Sequence, residues 1–487
     1  MRREFLINIF ILILINLLIK PFYTFIIETE VQNRVGPSTY GLYFALFNFT
    51  YLFQIIQDIG IQNYGSQFVA KNTSAAVSYL EDTIGLRLLL SGVYLLVLVV
   101  VGFAFGYGID IYWLLLLVGL NHILSGFFAF FRSILAAIGK YRWNSFFSVF
   151  EKILMIISLS FLLFISELGQ SFEISTFVIV RTVSFGLALV AVLVVMSRVD
   201  LKLNIVFKWG KAIRILRKTY PFAVVILLMT LYNRLDGIML ERLLLDDGLE
   251  AGRYAAGYRL YHAMTALGVL FSMLLLPMFS NLLVNDLEEL KELLSMSLEW
   301  LVAASVMAVF SVWMIGGDLM SVLYRTDADL YGTTILSTLC ISFVFVCFIY
   351  IFGTLLTANG RLREMNILFV VGIFINFGCN LWLIPTHGAE GAATATLVTQ
   401  LVVAIGLVVL TKSVIGVTIK MFSVYKLISF VLITGLIFFV SNTYLGRIGH
   451  IPSYIIALLL TCVTAFGLRI LDIKNLKTLI LNKSISV

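Results

Sequence analysis

Charged residues are scarce in this sequence. Only 13% of the 487 residues are charged, whereas 61% are hydrophobic, and the mean hydropathy is +1.03. Soluble domains are nearer half apolar and a quarter charged, so this balance excludes a soluble protein. Apolar stretches repeatedly reach the roughly 20 residues that a helix needs to cross about 30 Å of hydrocarbon. The sequence therefore predicts an all-α integral membrane protein.

Long polar segments are missing as well. About fourteen transmembrane helices are predicted, near residues 5–27, 40–61, 83–105, 111–135, 143–165, 172–196, 220–241, 254–283, 298–316, 333–357, 365–384, 391–411, 422–445 and 451–471. Only the segments 61–82, 197–219 and 284–297 have room for much chain outside the membrane. No extramembrane domain is expected.

Cysteines are few and lack the spacing of a disulfide or zinc motif. All four lie inside predicted spans without a CxxC pair, so neither a disulfide framework nor a metal site is indicated. No cofactor and no catalytic group is predicted. The first apolar run begins directly after the charged Arg2, Arg3 and Glu4 and has no small-residue cleavage site. We expect it to be a retained first helix.

Lysine and arginine are distributed unequally between alternate loops. With the N-terminus in the cytosol, inner loops and ends hold about four times as many bases as outer loops, which is a strong positive-inside signal. Both termini are then cytosolic. The net charge of +7 reflects topology and contact with membrane lipid headgroups, and nothing in it requires nucleic acid. The basic run Lys208 to Lys218 is interpreted as an interfacial connector helix.

The two halves of the sequence resemble each other. A shift of 214 residues lays Tyr40 over Tyr254, and a shift of 221 lays Gly139 over Gly360 with bases following both glycines. We expect these two glycines to form equivalent cytosolic turns, each glycine ending a helix. Six spans separate the matching elements, so the halves run in the same sense, related by an axis along the membrane normal. We predict two pseudo-twofold-related six-helix lobes plus two C-terminal helices: an N-lobe at 1–210, a C-lobe at 211–415, and the additional spans and tail at 416–487.

Charges inside predicted spans mark a polar interior. The shift of 214 residues also lays Lys20 over Arg234, so each lobe opens with a helix that carries a base. Charges in hydrocarbon are costly and persist mainly where water, a partner or a ligand compensates them. Bases outnumber the comparably deep acid Asp236, so the predicted cavity prefers an anion. The predicted substrate-binding residues are Lys20, Arg234, Arg181 and Arg259.

Arg234 and Asp236 cannot both face one cleft, because residues two apart on a helix point about 200° apart. We assign Arg234 to the cleft and Asp236 to the lobe interior, where Arg259 or His262 can pair with it. For Arg259 and His262, both pairing with Asp236 and contact with a ligand remain open. The predicted coupling or lobe-internal polar residues are Asp236, His262, Asp58 and Glu151. His122 is interpreted as a packed polar residue rather than a proton relay.

Several segments resemble one family of transporters. The stretch 35–72, "YNRLDGIMLERLL" with "GRYAAGYRLY" at 232–261, and "TLLTANGRLREMNI" at 354–367 resemble the bacterial polysaccharide flippases that move O-antigen and capsule repeat units. These belong to the multidrug/oligosaccharidyl-lipid/polysaccharide exporter superfamily. The resemblance implies a V-shaped pair of lobes that alternate access in the bacterial inner membrane. It also implies a substrate of undecaprenyl-diphosphate-linked oligosaccharide and a place beside the polysaccharide polymerase machinery.

Three alternatives remain at this point. Lipid II flippases share fourteen spans and a cationic cavity, so the sequence separates them poorly from the leading interpretation. Multidrug extruders of the same superfamily export mostly organic cations and typically carry acids in the N-lobe, whereas this first span carries Lys20. A membrane polysaccharide polymerase or ligase needs catalytic groups outside, and the outer loops here are short. Coupling to H⁺ or Na⁺ is open, since no motif names the ion.

Overall fold

The computed structural model describes residues 18–166, 171–199, 201, 207, 209–244, 246–325, 330–416, 421–445 and 449–471. It contains two compact units, Met1–Ala255 and Ala256–Val487. The described residues of both units form helices, turns and short irregular connections. This observation confirms the all-α class.

Nine of the described α-helices lie in the first unit, and three π-helical or 3₁₀ turns interrupt them. The turns are Tyr23–Ile27, Thr73–Ala75 and Phe161–Ile165. The helices are α1 (Glu28–Val35), α2 (Pro37–Phe53), α3 (Ile55–Asp58), α4 (Ile61–Lys71), α5 (Ala76–Ala104), α6 (Ile109–Ala137), α7 (Tyr141–Ser160), α8 (Ile174–Arg198) and α9 (Trp209–Leu243).

The tenth helix begins in the first unit and continues into the second. The remaining helices are α10 (Leu249–Asn285), α11 (Leu287–Leu323), α12 (Leu330–Ala358), α13 (Leu362–Ile415), α14 (Met421–Val440) and α15 (His450–Gly467). A π-helical turn, Ser441–Leu445, follows α14. Within the second unit, α14 and α15 pack against each other and against α11.

The expected number of spans is larger than the number of separate membrane-length helices. Among the described residues, ten helices are long and apolar enough to cross a membrane, or eleven with the pair Pro37–Asp58 and Ile61–Lys71, which is bent by 43°. The helix α13 contains the two expected spans 365–384 and 391–411. Between them, Gly388 interrupts α13 with a non-helical backbone (φ 56°, ψ −132°), and Pro385 lies one turn earlier. The expected seventh span lies in α9. Most of the first, residues 5–17, lies outside the described residues.

The boundary between the two compact units falls later than the lobe boundary expected at 210/211. Helix α9, assigned by sequence to the C-lobe, packs against α2 and α4 of the first unit. Its residue Ile238 belongs to the apolar core that includes Leu46 and Phe49. These contacts group α9 with the first unit, and the lobe limits at 1–210, 211–415 and 416–487 stay predictions.

The glycine turns expected from the repeat are present in both units. Gly139 follows α6 with φ +81°, and Gly360 follows α12 with φ +74°. In each turn the next residue donates its backbone N–H to a carbonyl five residues back, Lys140 to Leu135 at 2.9 Å and Arg361 to Leu356 at 2.9 Å. This is the left-handed glycine termination of a helix. The prediction that each glycine ends a helix is confirmed.

Cysteines placed just after these turns are expected to be labelled from the cytosolic side. Tyr141 and Leu362 each begin a helix and are 45% and 40% exposed. The variants Tyr141→Cys and Leu362→Cys should react with an impermeant maleimide only in inside-out vesicles. Matched controls at Ile109 and Leu330, which are 91% and 83% exposed on predicted outer loops, should react only in intact cells. Labelling of the first pair from outside would contradict the topology.

Helices α2 and α10 meet through their backbones near the start of each helix, within the first unit. A Cβ on Gly41 would lie 1.9 Å from the Gly248 carbonyl oxygen, and one on Gly252 would lie 2.0 Å from the Pro37 carbonyl oxygen. The side chain of Gln32 donates to the Gly252 carbonyl at 3.1 Å. Only glycine permits so close an approach. The turn before α10 is thereby fixed against the start of α2.

Candidate functional site

Two guanidinium groups lie beside one aromatic ring in the first unit. The Cζ atom of Arg181, on α8, is 5.0 Å from the ring centroid of Phe47, on α2. The Cζ atom of Arg234, on α9, is 5.7 Å from the same centroid. Attraction between a cation and an aromatic face reaches to about 6 Å. Three different helices therefore bring two of the predicted substrate-binding bases to one place.

The aromatic surface under these bases comes from one face of α2. Tyr43, Phe47 and Tyr51 follow one another at four-residue spacing, which places them on one side of a helix. Arg181 donates from Nη1 to the Tyr43 hydroxyl at 2.7 Å. The guanidinium carbon of Arg234 is 4.6 Å from the Tyr51 ring centroid. The three rings thus orient both guanidinium groups.

Arg234 is also oriented by close packing between α9 and α2. Its Nη1 donates to Asn48 Oδ1 at 3.1 Å. One turn later, Gly237 leaves space in which an added Cβ would lie 2.5 Å from Asn48 Nδ2 and 2.7 Å from Phe44 Cε1. A larger side chain there would push the two helices apart. The glycine therefore sets the distance at which Arg234 reaches Asn48.

Neither guanidinium forms an ion pair with a carboxylate in the part of the chain that the structure describes. Glu28 and Glu151 act on Arg181 electrostatically from beyond ion-pair distance. The Nε atom of Arg181 is buried and has no hydrogen-bond partner among the described residues. A buried donor that lacks a partner costs free energy, about 1–3 kcal/mol. The arrangement holds donors ready for an anionic acceptor.

Lys20 lies on the helical segment before the turn Tyr23–Ile27, and its side chain is exposed. Its charge acts together with those of two other bases, Arg132 and Lys152, and with that of the acid Glu151. Lys152 Nζ is 3.4 Å from Glu151 Oε1 and 4.0 Å from the ring centroid of Tyr23. The structure thus places Lys20 among other bases, and the described contacts do not include one between Lys20 and Arg234.

The other predicted polar residues occupy separate places. Asp236 is 7% exposed, and its Oδ2 accepts from the Tyr254 hydroxyl at 2.9 Å. Asp236 and Arg234 thus reach different helices, α10 and α2. In the second unit, Arg259 Nη1 donates to the Tyr324 hydroxyl at 2.6 Å, and the His262 ring stacks on Tyr258. Pairing of Asp236 with Arg259 or His262 stays a prediction.

Asp58 has a structural partner that the sequence analysis missed. Its Oδ1 is 2.8 Å from Nη1 of Arg87, whose side chain is 1% exposed. Asp58 also accepts from the backbone N–H of Gln62 at 3.2 Å, across the bend between α3 and α4. The Arg87 guanidinium carbon lies 4.5 Å from the Phe130 ring centroid. Asp58 therefore compensates a buried base and fixes a bend.

Neutralising Asp58 is expected to destabilise the protein strongly. The variant Asp58→Asn leaves Arg87 buried without a counter-charge, which typically costs about 3–5 kcal/mol. Thermal unfolding of the purified protein, followed by circular dichroism, should show a lower Tm. The double variant Asp58→Asn with Arg87→Met should recover much of the loss, because it removes the uncompensated charge. An unchanged Tm for Asp58→Asn would contradict this role.

Sequence reasoning identified the bases of this site but missed the residues that orient them. Asn48 and the aromatic series on α2 were not singled out, although the spacing of Tyr43, Phe47 and Tyr51 is visible in the sequence. Arg132 was missed as well, and no pattern marks it. Its Nη2 donates to Asn144 Oδ1 at 3.4 Å, and its Nε is buried without a partner among the described residues.

The geometry suits binding of a phosphate group. Arginine presents a planar set of donors that matches phosphate oxygens two at a time. Two such groups on a shared aromatic surface can hold two neighbouring phosphates. Among the described residues, no group of three or more His, Cys, Asp or Glu side chains is placed to hold a metal ion.

Solved structures of transporters share this fold. An inward-closed structure of the lipid II flippase MurJ matches with a TM-score of 0.72 at 14% identity, covering 92% of this chain and 97% of that one. An inward-facing multidrug resistance MATE family transporter of the MOP superfamily matches with a TM-score of 0.62 at 13% identity, covering 81% and 94%. A MOP superfamily transporter from Pyrococcus furiosus, described as having a binding pocket of reverse polarity, matches with a TM-score of 0.52 at 12% identity, covering 84% and 94%.

Comparison with curated protein sequences finds no match. The model of one family, described as polysaccharide biosynthesis protein, matches residues 5–283. This match covers more than half of the chain, including α2, α8 and α9 with their two arginines. The chain therefore belongs to the polysaccharide biosynthesis protein family and has the helical fold of MOP superfamily transporters.

Proposed function

We propose that this protein is a flippase that moves polyprenyl-diphosphate-linked oligosaccharide repeat units from the inner to the outer leaflet of the bacterial inner membrane. The observation that carries the proposal is the placement of Arg181 and Arg234 on the Phe47 ring without a carboxylate partner among the described residues. Membership in a polysaccharide biosynthesis family supports the glycan part of the substrate. The protein acts as a transporter and not as an enzyme.

The diphosphate is the part of this substrate that the site recognises. It is an anion at neutral pH, and it has to leave water when the carrier encloses it. Two guanidinium groups that already lack carboxylates supply opposite charge and hydrogen-bond donors. Lys20, Lys152 and Arg132 extend the positive field toward α6 and α7. Binding therefore replaces the hydration of the diphosphate with protein donors that are already oriented.

Lipid II is the second candidate substrate, and the specific observation that favours it is the structural likeness to MurJ. Lipid II also carries a polyprenyl diphosphate, so the arginine pair suits both. Export of organic cations fits less well, because two guanidinium groups that form no ion pair with a carboxylate among the described residues repel a cation. A polymerase or ligase is disfavoured, because such an enzyme needs catalytic groups outside the membrane and the described turns on the predicted outer side are short.

We also propose that transport is coupled to protons or sodium ions and that the protein associates with the polysaccharide polymerase machinery. In the predicted orientation, both termini then lie in the cytosol. Alternating access opens the diphosphate site first to one side of the membrane and then to the other.

The test is deletion of the gene in the native host, followed by mass spectrometry of lipid-linked intermediates and surface glycans. We expect polyprenyl-diphosphate oligosaccharide to accumulate and the surface polysaccharide to disappear. Accumulated lipid II with arrested cell-wall synthesis would instead support the second candidate. Unchanged glycans with altered drug sensitivity would refute the proposal in favour of a drug extruder.

A further inference from the structure

One histidine lies beside the two arginines. His122, on α6, is 4% exposed. Its ring centroid is 4.8 Å from that of Phe47 and 5.4 Å from that of Tyr51, so it touches the aromatic surface that holds Arg181 and Arg234. The sequence alone favours a packed polar side chain at this position. The structure adds that the packing is against the two rings that also contact Arg234.

One nitrogen of the buried His122 ring lacks a partner in the part of the chain that the structure describes. Its Nε2 atom is buried and has no hydrogen-bond partner among the described residues. In a neutral imidazole one nitrogen donates and the other holds a lone pair. When Nε2 holds the lone pair, it is the nitrogen that can take up a proton.

The described charged groups that act on the imidazole are positive. Arg181 on α8 and Arg234 on α9 both act on it. The described carboxylates on neighbouring helices have partners of their own. Asp58 pairs with Arg87, Glu151 lies beside Lys152, and Glu28 and Asp236 accept from the hydroxyls of Tyr40 and Tyr254. Glu28 and Glu151 act on Arg181 from beyond ion-pair distance. The hydroxyl of Tyr43 accepts from Arg181, and the ring of Tyr51 lies against the imidazole. A bound anion would therefore change the balance of charge around His122.

We propose that His122 is a proton-binding site linked to the diphosphate: the imidazole takes up one proton at Nε2 when a diphosphate binds between Arg181 and Arg234. The new N–H then donates to a phosphate oxygen as a third contact beside the two guanidinium groups. The proton comes from water, and no covalent bond of the substrate is made or broken. When the diphosphate leaves, the two positive neighbours expel the proton again. This inference rests on the proposed function, because it requires an anionic ligand at this site.

Because proton uptake by His122 accompanies diphosphate binding, the direction of the pH effect on binding can be stated. Because the protonated form binds the anion, affinity should be highest at acid pH and should fall as pH rises through the range in which the bound imidazole loses its proton. Histidine is the side chain that ordinarily changes charge between about pH 5 and 8. The limiting slope for one proton is about tenfold in Kd per pH unit, because each bound complex carries one proton more.

The experiment is calorimetric titration of the purified protein with a short-chain polyprenyl diphosphate that carries one sugar. A diphosphate esterified at both ends does not itself titrate between about pH 5 and 8, so a pH effect reports on the protein. Repeating the titration in two buffers of different ionisation enthalpy counts the protons taken up. We expect the wild type to take up close to one proton and to bind more weakly as pH rises.

Variants test whether His122 is the group that takes up the proton. His122→Gln should take up no proton, bind with little pH dependence, and match the wild type only at high pH. His387→Gln and His450→Gln remove exposed histidines and should keep the wild-type slope. Absence of proton uptake by the wild type, or an equal slope in His122→Gln, would overturn the inference and leave the proposed function standing. Failure of the wild type to bind the probe at any pH would refute the proposed function itself.

Discussion

Replacing Arg234 with glutamine is expected to abolish transport while leaving the protein folded in the membrane. The guanidinium of Arg234 contacts Asn48, Tyr51 and Phe47 and has no carboxylate partner among the described residues. Replacing Arg234 therefore deprives no described carboxylate of an ion-pair partner. A hydrogen bond to a charged group contributes about 1.5–3 kcal/mol. Affinity for a diphosphate should therefore fall by roughly 10- to 150-fold.

Three further variants define the site. Arg181→Gln should behave like Arg234→Gln, because both bases share the Phe47 ring. Arg234→Glu should be worse than neutralisation, because a carboxylate repels the diphosphate. Lys20→Gln should also lower transport if its exposed ammonium meets the ligand, as the sequence predicted. The measurement is surface-glycan export per unit of folded membrane protein in the native host.

The matched control is Lys291→Gln. Lys291 pairs with Glu288 three residues away on α11, on an exposed face of the second unit, and surface pairs of this kind contribute about 0–1 kcal/mol. Its replacement should leave export unchanged. Near-normal export in Arg181→Gln, Arg234→Gln and Arg234→Glu would show that the two arginines are structural, and the diphosphate site would be wrong.

Adding a single methyl group at Gly41 or Gly252 should be strongly disruptive. The new Cβ atoms would lie about 2 Å from the backbone carbonyl oxygens of Gly248 and Pro37, respectively. Backbone cannot swing aside as a side chain can, so α2 and the start of α10 must separate. Overpacking of this kind costs about 1–3 kcal/mol or more. We expect Gly41→Ala and Gly252→Ala to lower the Tm and to reduce export.

Gly92 and Gly186 provide the control for these two substitutions. Each lies within a membrane helix, and an added Cβ at either position meets no atom within 4 Å. Alanine is favoured over glycine inside a helix by about 1 kcal/mol. The Tm should therefore stay the same or rise in Gly92→Ala and Gly186→Ala. Equal behaviour of all four variants would contradict a specific backbone contact at Gly41 and Gly252.

The sequence predicts the fold class well because membrane insertion imposes long apolar helices. It also predicts the glycine turns at 139 and 360, since a left-handed residue that ends a helix is best supplied by glycine. The two separate spans predicted at 365–384 and 391–411 correspond to the two parts of α13, because the non-helical backbone of Gly388 breaks α13 between them.

The candidate site was predicted as a set of bases but not as an arrangement. Buried charge is readable from sequence because it is costly in hydrocarbon. Which base meets which neighbour depends on how helices pack, and that is not readable. The sequence predicted Lys20, Arg234, Arg181 and Arg259 as one set of substrate-binding bases, and the structure brings two of them, Arg181 and Arg234, to one aromatic ring. It also predicted Asp58 as a coupling or lobe-internal polar residue without naming a partner, and the structure pairs Asp58 with Arg87.

His122 shows why a lone polar residue is hard to interpret from sequence. A buried histidine is usually satisfied by hydrogen bonds, so packing was the better expectation. Its importance comes from a nitrogen left without a partner beside two positive charges. That observation requires coordinates for α2, α6, α8 and α9 together.

The most direct measurement is transport by the purified protein in liposomes. A fluorescent oligosaccharide should be attached to a polyprenyl chain through a diphosphate in one preparation and through an uncharged linker in another. Its movement between leaflets is read by a quencher that cannot cross the membrane. We expect the wild type to move the diphosphate form and not the uncharged form, and Arg234→Gln to move neither. Equal movement of the two forms, or unimpaired transport by Arg234→Gln, would contradict diphosphate recognition by the arginine pair.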